Sequence, residues 1–462
     1  MALGKRRAQR EQDLFVPATA MPRSPGHPFY RRLNQLLAEA KFDPHVEGIC
    51  EPFYTEKTGR PSIPPGVYFR MLLIGYFEGI NSQRGIAWRC ADSRSLQEFL
   101  GLGPTERSPE HSSLTRIRKG LSLEAHQEVF DFVLKVAKKK GLLKGKSLGV
   151  DTTTLEANAA MKSIVRKDSG KGWKEYVGGL AEEEGVQDPD DDDIRRFDRK
   201  RRGKKVSNKD WESPSDPDAR IGKMKDGRTE LSYKAQHAID LDTEIILAAT
   251  VHRADAPDGE LLKDAIIEAS GSLAAVDHDE GFAEVVADKG YHKTATIEWV
   301  AARGMKTHIP ERKSSRNRRW KGKPEAQERA FRANRRRVAG SRSRALQRKR
   351  SERVERSFAH TCTTGGWRRT CLRGLEANSK RYLLHAAARN LGLVMRAILG
   401  AGTPRGLPGL LGAACALLIV LNRLRGAAAN QPRTKASDST RRPRSWASCT
   451  AALQIDDCST GC

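Results

Sequence analysis

Ser147-Leu148-Gly149-Val150-Asp151 is where the chain changes its period. Before it, from His27 to about Lys146, apolar residues recur at helical spacing. After it they alternate with polar residues, as strands require. Leu231-Ser232-Tyr233-Lys234-Ala235-Gln236-His237-Ala238-Ile239-Asp240 alternates along its length, Glu244 to Val251 gives a second strand, and Asp242-Thr243 supplies the turn between them. Leu261 to Ala269 reads as a helix and Glu284-Val285-Val286-Ala287-Asp288 as a strand. A helix over 293–303 and a short strand Thr307-His308-Ile309-Pro310 come next, then a basic helix with Arg353-Val354-Glu355-Arg356-Ser357-Phe358. The expected fold is α/β: a mixed sheet with helices on both faces.

Upstream, Val67 to Phe77 is apolar on most sides and is expected to be buried, with Pro64-Pro65 at its start. Arg84 to Leu102 reads as two short helices about Ala91-Asp92-Ser93, and Leu123 to Lys138 is amphipathic. The expected all-α domain spans 27–146, after a basic flexible arm at 1–26. Short helices with exposed arginines suit a helix-turn-helix DNA binder. A helical packing domain suits them equally, because no recognition helix stands out.

The chain carries 83 Lys and Arg against 57 Asp and Glu, a formal charge of +26 at pH 7. That excess predicts a polyanionic partner held with salt-sensitive affinity, nucleic acid before an anionic membrane. The densest block, 312–350, has 17 Lys or Arg and two Glu. It reads as a basic helical insertion that tracks a DNA backbone, with Arg335, Arg336, Arg337 and Trp320 as candidate contacts. A second insert, 162–215, is polar, with an acidic run from Asp188 to Asp193, and is expected to be mobile. Eight cysteines without a paired Cys-x-x-Cys exclude a structural zinc site by spacing and suggest reduced thiols. The N-terminus lacks the apolar core of a signal peptide, and Leu407 to Leu421 is too short for a spanning helix. The expectation is a cytoplasmic protein, nucleoid-associated when bound to DNA, with no membrane partner.

Asp151 and Asp288 end strands and Glu355 sits on the basic helix. Hard divalent cations want oxygen ligands, and two ions about 3.5–4 Å apart serve phosphodiester chemistry. Glu352, three residues before Glu355, shares its helical face and stays open as the third acid. His237 reads as a structural histidine; Trp367 reads equally as a base-stacking or a core residue.

Several segments together resemble an insertion-sequence DDE transposase of the bacterial group with an N-terminal helical domain and an RNase H-like core. They are Gly149-Val150-Asp151-Thr152-Thr153-Thr154-Leu155-Glu156-Ala157-Asn158-Ala159, Asp216-Pro217-Asp218-Ala219-Arg220 and Tyr233-Lys234-Ala235-Gln236-His237-Ala238-Ile239-Asp240. Val286-Ala287-Asp288-Lys289-Gly290-Tyr291, Val354-Glu355-Arg356-Ser357-Phe358-Ala359-His360 and Arg368-Arg369-Thr370-Cys371-Leu372-Arg373-Gly374 complete the set. The resemblance covers roughly residues 27–406. It implies that Asp151, Asp288 and Glu355 hold two Mg²⁺ ions, which Mn²⁺ can replace. The acid followed by Arg-Ser-Phe favours Glu355 over Glu352. It implies Lys289 and Arg356 on phosphates and Tyr291 placing DNA, set against surface charge and packing on the next helix. It implies a catalytic domain over 147–400 that cuts double-stranded element ends and joins them to target DNA, as a homodimer when two ends are synapsed. After Gly406 the pattern is lost, so 401–462 is expected to be an atypical, poorly ordered tail, native or frameshifted. Two other readings remain: a catalytically decayed repressor that occupies DNA ends, and an RNase H-like metal-dependent nuclease.

Overall fold

The computed structural model describes residues 26–55, 62–202, 207–224, 226–278, 280–312 and 320–407. The arm at 1–25 and the tail from 408 onward, including nearly all of the apolar run that starts at Leu407, lie outside the described residues.

Seven helices precede the first strand: α1 (Pro28–Glu39), α2 (Phe42–Cys50), α3 (Pro65–Glu78), α4 (Gln83–Ala91), α5 (Arg94–Phe99), α6 (His111–Gly120) and α7 (Leu123–Lys139). Proline at the first position of α1 and of α3 costs no hydrogen bond, since that N–H would be unsatisfied anyway. Ser82, Ser93 and Ser122 cap α4, α5 and α7 by accepting from a backbone N–H three residues on. Residues 66–77 of α3 are all buried, as its apolar circumference requires. The turn expected at Ala91-Asp92-Ser93 separates α4 from α5.

The sheet begins with β1 (Ser147–Glu156). The polar insert then folds: β2 (Val165–Arg166), α8 (Trp173–Glu183), α9 (Asp191–Lys200) and β3 (Trp211–Glu212). Its expected mobility is corrected by a small core of its own. Val177, Ala181 and Ile194 are buried, and the Arg166 guanidinium lies 4.8 Å from the Tyr176 ring centre and 5.7 Å from that of Trp211. Next come β4 (Arg220–Lys223), β5 (Thr229–Asp240), β6 (Ile246–Arg253), α10 (Asp258–Ala275), β7 (Glu284–Ala287), α11 (Thr294–Ala301), β8 (Lys306–His308), α12 (Glu325–Ala339), α13 (Ser341–Ala359) and α14 (Leu375–Leu399).

The strand order is β6-β5-β1-β7-β8, with β4 beside the first residues of β5. β6, β5 and β1 are antiparallel; β1, β7 and β8 are parallel. This is a mixed α/β sheet of RNase H-like order. Buried asparagines tie down both edges. Asn390 of α14 accepts from the Ile246 N–H at 2.9 Å and donates to its carbonyl at 2.8 Å. Asn334 of α12 does the same to Ile309, just beyond β8, at 3.2 and 2.9 Å. Edge backbone groups that would pair with another chain are thereby satisfied internally.

Within the described part of the basic block, α12 and the first turns of α13 form a docked helix pair. Ala330, Phe331, Asn334, Leu346 and Arg350 are buried beneath its charged surface. α14 is buried over most of its length and packs against α3, α7 and β6, so helices and sheet share one apolar core. All described residues belong to one compact unit. Among them no helix is long and apolar enough to cross a membrane, and the four described cysteines carry no disulfide.

Three core histidines are held neutral. His126 donates from Nδ1 to the Ser122 carbonyl and accepts at Nε2 from the Tyr68 hydroxyl; burial pushes it down to about 4. His237 lies between Ser357 and Tyr382 at 2.8 Å each and stacks on Phe358, a structural role as expected. Burial holds it, and His385 beneath Trp367, well below the usual imidazole range. Trp367 itself is fully buried, a core residue. Each histidine takes up a proton on unfolding once the pH falls below its ordinary value of 6.5. Stability is therefore lost as the pH drops below 6.5, by about 1.4 kcal/mol per pH unit for each histidine. Urea unfolding at pH 7.5 and 5.5 is expected to show this loss; equal stabilities would contradict it.

Candidate active site

Alternation along β1 decides the site. Residues two apart on a strand share a face, and paired residues of a parallel neighbour share it too. Gly149 pairs with Val286 and Val150 with Ala287. One residue further, Asp151 and Asp288 stand side by side on the face covered by α13. Asp288 follows the end of β7 as expected, but Asp151 lies midway along β1, which runs on to Glu156 in its pairing with β5, a correction to the expected strand end. Gly149 leaves room for Leu241, whose side chain a Cβ there would meet.

The two carboxylates are held differently. Asp288 starts a short turn and accepts from the Lys289 N–H at 2.6 Å. Asp151 accepts from the Thr152 N–H at 2.9 Å and, on its other oxygen, from Arg350 Nη1 at 2.6 Å. Burial pushes the Asp151 carboxyl up; Arg350 opposes that, while the neighbouring charge of Asp288 adds to it. The pair therefore favours a cation, and Arg350 is the cationic group that touches it. Gln347 supports Arg350, accepting from its Nε at 3.2 Å while donating to the carbonyls of Ala287 and His308.

The third acid stands apart from the pair. Glu355 is exposed and accepts from Ser351 Oγ at 3.2 Å. It lies roughly 140° around α13 from Arg350. Glu352 is ion-paired with Arg356. Among the described residues, Glu355 has no cationic partner, and no three His, Cys, Asp or Glu side chains are grouped closely enough to hold a metal ion. Asp151 and Asp288 still suit one: they are hard oxygen donors whose mutual repulsion Arg350 offsets only from the Asp151 side.

A layer on the opposite face of the sheet holds the acid-bearing loops, and sequence reading missed its centre, Asp258. The Thr152 hydroxyl donates to Asp258 at 3.3 Å, and Lys234 Nζ pairs with the same oxygen at 2.9 Å. A Cβ on Gly290 would sit 3.2 Å from the other oxygen. Asp258 thus touches the residues that follow both Asp151 and Asp288. Its only sequence signal is an acid in the first turn of a helix, after Pro257.

The candidate DNA contacts divide. Lys289 is exposed, and Arg312 binds the carbonyls of Lys289 and Gly290. Arg336 is exposed. Tyr291 is instead 1 % exposed, with its hydroxyl 3.5 Å from Gln236 Nε2. Its side chain lies in the core, so the surface role expected for it is corrected by burial. Arg335 is bidentate to Glu311 at 2.7 Å, and Arg337 donates to the Thr307 carbonyl at 3.0 Å. Arg356 pairs with Glu244 and Glu352. Trp320 leans on Phe331, ring centres 5.0 Å apart.

Arg350→Gln is expected to cost about 2 kcal/mol without metal, below the range for fully buried pairs because Asp151 keeps some exposure. It is also expected to strengthen binding of a divalent cation. Melting temperatures with and without Mn²⁺ read both; a variant as stable as the wild type and no more responsive to Mn²⁺ would contradict the counter-cation role.

Two family models match the chain: one described as a transposase domain (DUF772), over residues 19–120, and one described as a transposase DDE domain, over residues 183–391. Asp288 and Glu355 fall inside the second match, and Asp151 precedes it. No curated protein and no solved structure matches.

Proposed function

The chain belongs to the insertion-sequence DDE transposases, enzymes that cut DNA, and from that membership we propose that it binds the terminal inverted repeats of its own element, cleaves there and joins the freed 3′ ends to target DNA. The observation that carries this reading is the register of β1 on β7, which aligns Asp151 with Asp288 under the helix that bears Glu355. In this reading Asp151 and Asp288 hold divalent metal, Mg²⁺ with Mn²⁺ as a substitute, and Glu355 completes the set. Of the two open acids, Glu355 is favoured because Glu352 is already neutralised by Arg356. Bound there, a pair of such ions supplies an activated water or 3′-hydroxyl and a stabilised leaving oxygen.

The chain's own residues do the rest. Arg350 keeps Asp151 ionised and oriented until metal takes its place. Asp258 and Lys234 hold Thr152, and with it the part of β1 that carries Asp151. Lys289, beside Asp288 and exposed, contacts a phosphate near the scissile bond, and Arg336 contacts the flanking duplex. Tyr291, Trp320, Arg335, Arg337 and Arg356 act behind that surface, by holding it in shape. Two ends brought together call for at least two protomers when DNA is bound.

A labelled duplex carrying the element's own end tests the reading. Cleavage at the element boundary with Mg²⁺ or Mn²⁺ is expected. Asp288→Asn and Glu355→Gln are each expected to lower it about a thousandfold or more, a loss of roughly 4 kcal/mol of transition-state stabilisation, with DNA binding kept. Cleavage without joining would indicate a nuclease. Salt-sensitive binding with no cleavage in either metal would indicate a decayed, DNA-binding repressor.

A further inference from the structure

The positive charge of α13 is spent unevenly. Arg342 pairs with Glu284, Lys349 with Asp242 and Arg350 with Asp151. Arg353 donates to the Leu241 carbonyl, and Arg356 pairs with Glu244. Arg344 and Arg348 differ: both are exposed, and among the described residues neither side chain has a hydrogen-bond or ion-pair partner. They are four residues apart and share a face of the helix. The same stripe continues through Ser351 to Glu355.

Beside this stripe runs a groove of about 630 Å³ between α13 and the end of α12. Pro310 and Val338 wall it; Ser341, Ser343, Arg344 and Arg348 line the α13 side. Ser343 is 1 % exposed, and its hydroxyl has no partner. Such a group is costly unless something binds it. α13 also begins here, on Gly340, with no side-chain cap and no acid in its first turn. Its first N–H groups and its dipole are open to an anion. Two unpaired guanidinium groups, an orphaned hydroxyl and an uncapped helix start thus converge on one groove with apolar walls. The matching ligand is a phosphodiester flanked by sugar.

We infer that this groove seats the backbone of the DNA strand that leads to the cleavage site, with Arg344 and Arg348 on phosphates about two nucleotides apart. The inference rests on the DNA-cleaving reading and gives it a strand path. Arg344 and Arg348 are about 6 Å apart along the helix axis, and Glu355 lies about 10 Å beyond Arg348. At 3.4 Å per nucleotide, the seated strand reaches the third acid in roughly three nucleotides. The groove-facing arginines then add to the salt dependence that Lys289 and Arg336 contribute, whereas the paired Arg335 and Arg337 add little.

Affinity for a short duplex of arbitrary sequence, measured over a series of salt concentrations, tests this. Arg344→Gln and Arg348→Gln are each expected to lower the slope of log affinity against log salt by about 0.9, which is roughly fivefold weaker binding at 0.15 M salt. Both side chains are exposed, so the variants should melt as the wild type does. Arg329→Gln, whose parent residue is paired with Glu325, is the control and is expected to change the slope less. Wild-type slopes in both groove variants would overturn the inference. A wild type that cuts its element end while those slopes stay unchanged would sink the strand path alone. A wild type that never cuts would sink the enzyme reading, and the slopes would still decide the groove.

Discussion

Two carboxylates on neighbouring strands, one midway along β1 and one just past the end of β7, repel each other, and the centre of this molecule is built around that repulsion. Parallel pairing of β1 with β7 forces Asp151 and Asp288 onto the same face, one residue past the ladder. No side-chain rotation separates strands about 4.8 Å apart. A cationic group must therefore stand close, and α13 supplies one in Arg350. Gln347 then ties Arg350 to the carbonyls of the two parallel strands.

The surroundings make that centre rigid. Asn390 and Asn334 clamp the two sheet edges from α14 and α12. α14 runs through the middle of the molecule and joins the N-terminal helices to the sheet. Asp258 and Lys234 brace β1 beside Asp151 from the opposite face. Charge on α12 and α13 is partly structural: an arginine bound to a carboxylate or a carbonyl holds the helix in place and has little left for a partner.

Much of this was legible in the sequence, for physical reasons that can be named. Period-2 alternation exposed β5 and β6, and the apolar runs before Asp151 and Asp288 exposed β1 and β7, so the sheet and two acids could be read directly. α3 and α7 were equally plain from their apolar spacing. α14 was not, because buried Lys380, Arg381 and Arg389 interrupt its apolar pattern. Lys380 is paired one turn away with Glu376, whereas the carboxylate near Arg389, Glu244, is distant in sequence and gives no local signal. The insert at 162–215 read as mobile because a core made of Val177, Ala181 and Ile194 is too small to outweigh its charge in composition. Among the basic residues, sequence could not separate structural arginines from free ones: Arg335 and Arg344 look alike until Glu311 is seen beside the first. Tyr291 misled for a similar reason, since its place after an acid at a strand end says nothing of which way the ring turns.

The central claim is that Asp151 and Asp288 share a divalent cation, with Arg350 yielding to it. Diffraction from crystals of the chain with a DNA end and Mn²⁺, recorded at the manganese absorption edge, tests it most directly. An anomalous peak between the two aspartate carboxylates, with the Arg350 guanidinium moved off Asp151, is the expected result. Saturating Mn²⁺ that leaves Arg350 on Asp151 and gives no peak between the carboxylates would contradict the account.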